Sequence, residues 1–438
     1  MNIKDIISDK ITYDALTILI PEKQTIMMYR VSKEIHDYLQ SVKLGIHVKI
    51  SNQFPDTSIL LNKLEELNKN ISIRSINFTD YHFEGIIGVA IIKELFNSRQ
   101  CTSYDFSYNY LDANAKHTIA EALYVNTTLE TLNLNNIKFE ENGGYEIVNA
   151  LCNNKTITSL DLGLNNADAI ENYCTDSDYE EVIFNIVEYQ SAITNMIKEN
   201  TSIIKLNLYS NYIGDYEIHE FANALCVNTT ITNLNLSKNN LREYGTQIIT
   251  YALCMNTTIT ALNLSSNLLG ENGSLIIAEA LYVNTTLRSL DLSHNYLRRH
   301  SLCNEIGIIA IANALCKNNT ITELNLEHNK IGFNGARELS KALCVNKTIK
   351  ILNLEHNKLR DRGACAIAEA LRVNTTLQCL NLNNNKLEKY EVHVIVDALC
   401  NNNTITSLHL VCNELGENER KGVRDALQKN HRLTELFV

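Results

Sequence analysis

Three histidines, His294, His328 and His356, occupy the same place in the stretches LDLSHNYL, LNLEHNKI and LNLEHNKL. Two of them directly follow a carboxylate, Glu327 and Glu355. Imidazole beside carboxylate is the chemistry of metal ligation and of proton transfer. On adjacent strands the rings would stand about 5 Å apart, within reach of a shared cation. That spacing also suits a row of solvated side chains, which is the reading adopted: no metal and no cofactor. The chain has no H-E-x-x-H, paired C-x-x-C, G-x-G-x-x-G or P-loop pattern. No catalytic residue is assigned, and an enzyme is not expected.

A second chemistry recurs more widely. ALCVNTTITNLNLSKNNL, residues 224–241, sets a cysteine beside an Asn-Thr-Thr acceptor for N-linked sugar. ALCMNTTITALNLSSNLL and ALCVNKTIKILNLEHNKL repeat the arrangement. Acceptors and thiols together would describe a secreted, disulfide-linked protein. Their placement argues otherwise. Asn126, Asn154, Asn200, Asn228, Asn256, Asn284, Asn318, Asn346, Asn374 and Asn402 each stand three residues before an apolar residue that opens a predicted strand. That is the turn leaving a predicted helix, where Asn tolerates the left-handed conformation. Cys152, Cys226, Cys254, Cys316, Cys344 and Cys400 share one column with Tyr124, Tyr282 and Arg372, which is not the pattern of a disulfide framework. The opening MNIKDIISDKITYD is charged throughout and lacks the apolar segment of an export signal. The expected location is cytoplasmic, with the cysteines reduced.

Charge and hydropathy narrow the partners. Over 438 residues the formal net charge is −11. Nucleic acid is not expected, because phosphates call for clustered Lys and Arg. No apolar run approaches the length of a membrane span. A protein partner remains.

The elements that must position these columns follow from a repeat, L-x-x-L-x-L-x-x-N-x-L. Copies begin at Ile73, Cys101, Leu129, Ile157, Ile203, Ile231, Ile259, Leu287, Ile321, Ile349, Leu377, Ile405 and Leu433. The step is 28 residues except from 157 to 203 and from 287 to 321. A fainter copy from Gly45 puts Val48 and Ile50 at the inner apolar positions. In LNLSS, residues 262–266, alternation places Leu262 and Leu264 on one strand face. Ile277, Ala280 and Leu281 then form a helical stripe, as do Leu339, Ala342 and Leu343, and Ile367, Ala370 and Leu371. A strand takes about 4.8 Å of sheet width and a helix about 10 Å, so stacked units must curve with strands inside. The motif Asn, recurring from Asn109 to Asn413, is expected to satisfy backbone groups where each strand turns outward. Tyr81 and Ile137 replace it in two early copies, where irregular geometry is expected.

The motif as it stands in LNLSSNLLGENGSLIIAEALYVNTT resembles the leucine-rich-repeat family, in its ribonuclease-inhibitor-like class. The resemblance covers residues 45–438. It implies an α/β fold, a curved solenoid or horseshoe with parallel strands on the concave face and helices on the convex face. The usual work of that family is binding proteins, and it brings no catalytic residues.

The concave face is the expected site. Asp291, His294, Glu323, Glu327, His328, Glu355, His356 and His409 are the candidate partner-binding residues, and their acidity favours a basic partner. Two insertions break the rhythm on loops: DAIENYCTDSDYEE at 168–181, ahead of the apolar-periodic VIFNIVEYQSAITNMIKEN, and RRHSLCNE at 298–305. Residues 1–44 stand apart as a small N-terminal segment. LTILIPEKQTIMMYRVSKEIHDYL reads as two or three short helices capping the first repeat. It also resembles the second half of an F-box, through Ile20-Pro21, Lys23, Ile26, Met28 and Val31-Ser32-Lys33. The usual opening Leu-Pro is absent, and Ile35 stands where Trp or Phe is common. This resemblance implies that Pro21, Ile26, Met28 and Val31 dock a cullin-ligase adaptor, making the chain a substrate receptor of a cullin-RING ubiquitin ligase.

Overall fold

A three-residue strand opens each regular copy of the motif because one leucine faces inward between two residues that tolerate solvent. Leu234, Leu262, Leu290, Leu324, Leu352, Leu380 and Leu408 fill that inward position and are all buried. The computed structural model describes residues 17–19, 46–51, 73–79, 81–98, 101–139, 144–165, 179–213, 218–297, 305–400, 402–428 and 432–438. It comprises two units, Met1–Leu206 and Asn207–Val438.

In the second unit the strands Asn233–Asn235, Ala261–Asn263, Ser289–Asp291, Glu323–Asn325, Ile351–Asn353, Cys379–Asn381, Ser407–His409 and Glu435–Phe437 pair in chain order, all parallel. Register aligns like with like, so Leu262 pairs Leu290 and Asn263 pairs Asp291. Helices such as Gly270–Val283, Phe333–Val345 and Arg360–Val373 return the chain between strands. Ile277, Ala280, Leu281, Leu339, Ala342, Leu343, Ile367, Ala370 and Leu371 are all buried, as their spacing predicts. Fully burying one such leucine or isoleucine contributes about 1.5–3 kcal/mol.

The first unit follows the same plan. Strands Ile73–Thr79, Ser103–Asp105, Thr131–Asn133 and Ser159–Asp161 are parallel and in register. The faint copy is real: Ile46–Ser51 is a strand in which Val48 pairs Ile76 and Ile50 pairs Phe78. The apolar-periodic stretch after the first insertion lies in one 21-residue helix, Tyr179–Glu199. Thr17–Leu19, within the segment expected to be helical, is instead a strand paired in parallel with His47–Lys49. Pro21, Ile26, Met28 and Val31 lie outside the described residues, as do most of both insertions.

Tyr81 and Ile137 do not disturb the register. Asn109 and Asn165 of the next copy accept the Tyr81 and Ile137 backbone N–H groups at 2.6 and 3.0 Å. Around Tyr81 the leucine core becomes aromatic, with Phe78 and Phe106 stacked at 5.6 Å and Phe83 edge-on to both.

The motif Asn performs the expected work. Asn239 donates to the Leu208 and Ser237 carbonyls at 2.8 and 3.3 Å, while its Oδ1 accepts the Asn211 and Ile213 N–H groups. The second Asn column corrects the expectation. At the helix exits Asn126, Asn256, Asn284 and Asn374 have φ between −71° and −74°, in the extended region. Asn256 is chosen for its side chain instead. Its Oδ1 accepts from Thr258 and Ile259, and its Nδ2 donates to the Leu225 and Asn228 carbonyls of the preceding repeat. The left-handed residues flank the motif Asn, as at Lys238 and Asn240, Ser266 and Leu268, or His294 and Tyr296.

Candidate functional site

The solvent-facing side of the strands in Asn207–Val438 is built from the Asx residue that ends each strand. Asn235, Asn263, Asp291, Asn325, Asn353 and Asn381 each accept, through Oδ1, the N–H two residues on, at 2.8–3.0 Å. This Asx turn closes the strand locally and fixes the direction of the residue that follows. In two successive repeats that residue is Glu327 and Glu355.

The two carboxylates are braced alike. Glu327 Oε2 accepts from Asn353 Nδ2 at 3.2 Å, and Glu355 Oε2 accepts from Asn381 Nδ2 at 2.9 Å. On the other side Glu327 Oε1 stands 3.7 Å from His294 Nε2, and Glu355 Oε1 stands 3.8 Å from His356 Nε2. Asn384 Nδ2 adds a 3.4 Å bond to Glu355 Oε1. About a quarter of each glutamate side chain remains exposed, 27% and 24%. They are held in place yet open to a ligand.

The three histidines form a continuous row, because the backbone ladder runs on past the strands. His294 N–H donates to the Glu327 carbonyl at 2.9 Å, and His328 N–H to that of Glu355 at 3.0 Å. The rings of His294 and His328 stack at 4.5 Å, and His328 meets His356 at 5.7 Å with tilted planes. Burial pushes the His328 pKa below the usual imidazole range, and the neighbouring His294 and His356 lower it further. His328 is therefore uncharged at neutral pH. Stacked faces do not converge their nitrogens on one point, and among the described residues no group of three or more His, Cys, Asp or Glu is placed to hold a metal ion.

Of the eight candidate residues, the structure brings five together: His294, Glu327, His328, Glu355 and His356. Asp291 lies in the adjoining row, its Oδ1 occupied by the Ser293 N–H. Glu323 is exposed on the same strand face, paired in register with Ser289 and Ile351. His409 belongs elsewhere: its ring packs 4.5 Å from Phe437 and its Nε2 lies 3.1 Å from Ser407 Oγ, at the last strands. The eight candidate residues do not include the bracing amides Asn353, Asn381 and Asn384. Nor do they include Lys330, whose ammonium sits 4.5 Å above the Tyr296 ring in the next column. The same period that exposes the histidines would have shown that column.

A leucine-rich-repeat family model matches residues 283–297, 317–340 and 345–368, the stretch that carries the histidine row. No curated protein matches the chain. Among solved structures, the leucine-rich-repeat-containing protein LegL7 of Legionella pneumophila is similar at 20% identity, covering 71% of this chain and 93% of that one, with a TM-score of 0.45. The leiomodin-1 actin-binding site 2 is 24% identical over 36% of this chain and 88% of that one, with a TM-score of 0.29. The tropomodulin C-terminal domain of Caenorhabditis elegans is 17% identical over 35% and 90%, with a TM-score of 0.31. With its 28-residue period, its in-register parallel strands, its asparagine ladder and the family match, the chain is a leucine-rich-repeat protein.

Proposed function

We propose that the chain is a non-catalytic scaffold that seats a partner protein on the strand face of residues 207–438, and that this partner presents positive charge. The carrying observation is the bracing of Glu327 and Glu355, each fixed by an asparagine amide and a histidine while still open to solvent. A charge already held in its bound position loses little side-chain freedom on association, so more of its attraction appears as affinity. Exposed Glu323 and Ile351, 40% accessible, add a charged and an apolar contact beside them. A cytoplasmic setting fits the column cysteines, which are unpaired thiols at half-buried to exposed positions.

The test is reversal of both charges, Glu327→Lys with Glu355→Lys, against a partner captured by the full chain and then titrated in pure form. Affinity and its salt dependence should both fall, with the thermal melt unchanged. Unaltered affinity would remove the strand face from consideration and turn attention to the insertion at 168–181.

The F-box resemblance of residues 20–33 supports a second reading, in which the scaffold is the substrate receptor of a cullin-RING ligase. Pro21, Ile26, Met28 and Val31 would then dock the adaptor. The strand Thr17–Leu19 supports the competing role for this segment, because it covers what would otherwise be a bare strand edge. Deleting residues 1–44 separates the two. A folded array that has lost adaptor capture supports the receptor, and an aggregated array supports the cap.

A further inference from the structure

A second charged row runs beside the glutamates. Tyr296, Lys330, Lys358 and Lys386 occupy one column, two residues after the His294, His328, His356 and Asn384 column. Backbone bonds hold the successive turns together here as they do in the sheet: Lys358 N–H donates to the Ile331 carbonyl at 2.8 Å. The Tyr296 ring under the Lys330 ammonium shows that neighbours in this column touch. The lysines therefore repeat at about the spacing of adjacent strands, roughly 5 Å. Lys358 and Lys386 are exposed, and among the described residues neither forms an ion pair. Three like charges in a line stand out in a chain whose net charge is −11.

We propose that this lysine ridge receives a row of acidic residues on the same partner, so that the partner's contact surface carries two parallel stripes of opposite charge. Its basic stripe lies over Glu327 and Glu355, and its acidic stripe over Lys330, Lys358 and Lys386. This rests on the strand face being a protein-binding site. Nucleic acid fits the ridge poorly, because any polyanion centred on the lysines lies against the glutamate row only a few residues away. Parallel stripes of opposite charge also reject partners of uniform charge of either sign, since each meets one like-charged row. The histidine row between them is neutral at its centre, His328, and so separates the two fields without favouring either.

The experiment uses the full chain and four labelled probes read by fluorescence anisotropy. These are a helical peptide with a glutamate stripe beside a lysine stripe, its all-glutamate and all-lysine counterparts, and a single-stranded oligonucleotide. The two-striped peptide should bind about tenfold more tightly than either single-sign peptide. The variant Lys330→Gln, Lys358→Gln, Lys386→Gln should erase that advantage over the all-lysine peptide. Lys358→Gln alone, at a position with ordinary backbone, should erase part of it, and serves if the triple variant melts early. Parent-like binding of the two-striped peptide by the lysine variants overturns the proposal, as does tightest binding of the oligonucleotide. If Glu327→Lys with Glu355→Lys weakens peptide binding and the lysine variants do not, the ridge falls and the strand face stands. If neither set changes any affinity, both fall.

Discussion

Asn329 shows how much one side chain holds. It is fully buried, and its Nδ2 donates to the Leu292 and Glu327 carbonyls at 2.9 and 3.1 Å. Its Oδ1 accepts the Asn295 and Leu297 N–H groups, while its own N–H donates to Asn357 Oδ1. Three repeats meet at one residue. Asn329→Ala would strand several buried backbone groups, and the expected loss is on the order of 3 kcal/mol, read as a fall in the urea midpoint. Asn329→Asp keeps the shape but not the donor, and should destabilise as well. A parent-like midpoint for Asp would mean that the donor bonds contribute nothing. His328 gives a pH prediction. Its folded pKa lies below the unfolded one, so the unfolded chain binds the proton first as pH falls. The contribution of His328 is therefore present above the ordinary imidazole pKa and is lost as pH drops through the folded value. His328→Asn removes the titration while keeping a residue that tolerates the left-handed backbone, as Asn384 does in the same column. The thermal midpoint of the variant should be less sensitive to pH over that window than that of the parent; equal sensitivity would sink the idea.

At the scale of elements, the second insertion ends in an anchor. Glu305, buried at 3% exposure, starts the helix Ile306–Leu315 and accepts the Gly332 and Gly335 N–H groups, the latter at 2.5 Å. It thus satisfies two amides at the start of the following helix, Phe333–Val345: that of its N-cap Gly332 and that of Gly335. A Cβ on Gly335 would meet Glu305 Oε2 at 2.5 Å and Ile308 Cγ2 at 2.7 Å. Gly335→Ala should therefore cost about 1–3 kcal/mol through overpacking, measured by chemical denaturation. Leu326→Ala, removing a side chain with no exposure, should cost roughly 2–5 kcal/mol and loosen its neighbours too. Elements of this kind were legible where periodicity alone decides them. Leu262 and Leu264, the helix stripes and the faint strand at Val48 and Ile50 all follow from spacing. What spacing cannot report is which property of a residue is used. By its position Asn256 reads as a left-handed turn residue, yet it works through its amide while Leu268 and Tyr296, which carry no such signal, take the left-handed positions. The site was legible to the same degree. Its rows of His and Glu come from the period, but the bracing by Asn353 and Asn381 depends on side-chain orientation.

The whole molecule bears on the sugar-acceptor motifs. Ten acceptor asparagines share the helix-exit column, and nine of them, from Asn154 to Asn402, are buried at 8% exposure or less. Where the bonds are resolved the amide nitrogen is already engaged: Asn346 Nδ2 donates to the Leu315 and Asn318 carbonyls at 2.8 and 2.9 Å, and Asn374 Nδ2 to that of Leu343 at 2.7 Å. A sugar on that nitrogen would have to occupy the space of the preceding repeat. Because each repeat is stabilised only by its neighbours, a single modified asparagine opens an interface on both sides of it. Two outcomes follow if the chain is forced through a glycosylating compartment. The sites stay unmodified in whatever fraction folds, or the modified fraction fails to fold. Mass spectrometry of the folded and aggregated fractions, separated by size, tests this directly. Within this column sugar should be confined to the aggregate, with half-exposed Asn126 as the exception that folding tolerates; Asn272, an exposed Asn-Gly-Ser acceptor outside the column, can carry sugar in either fraction. Glycan at Asn228, Asn256 or Asn374 in a monodisperse, cooperatively melting species would show that the asparagine ladder does not hold the repeats together.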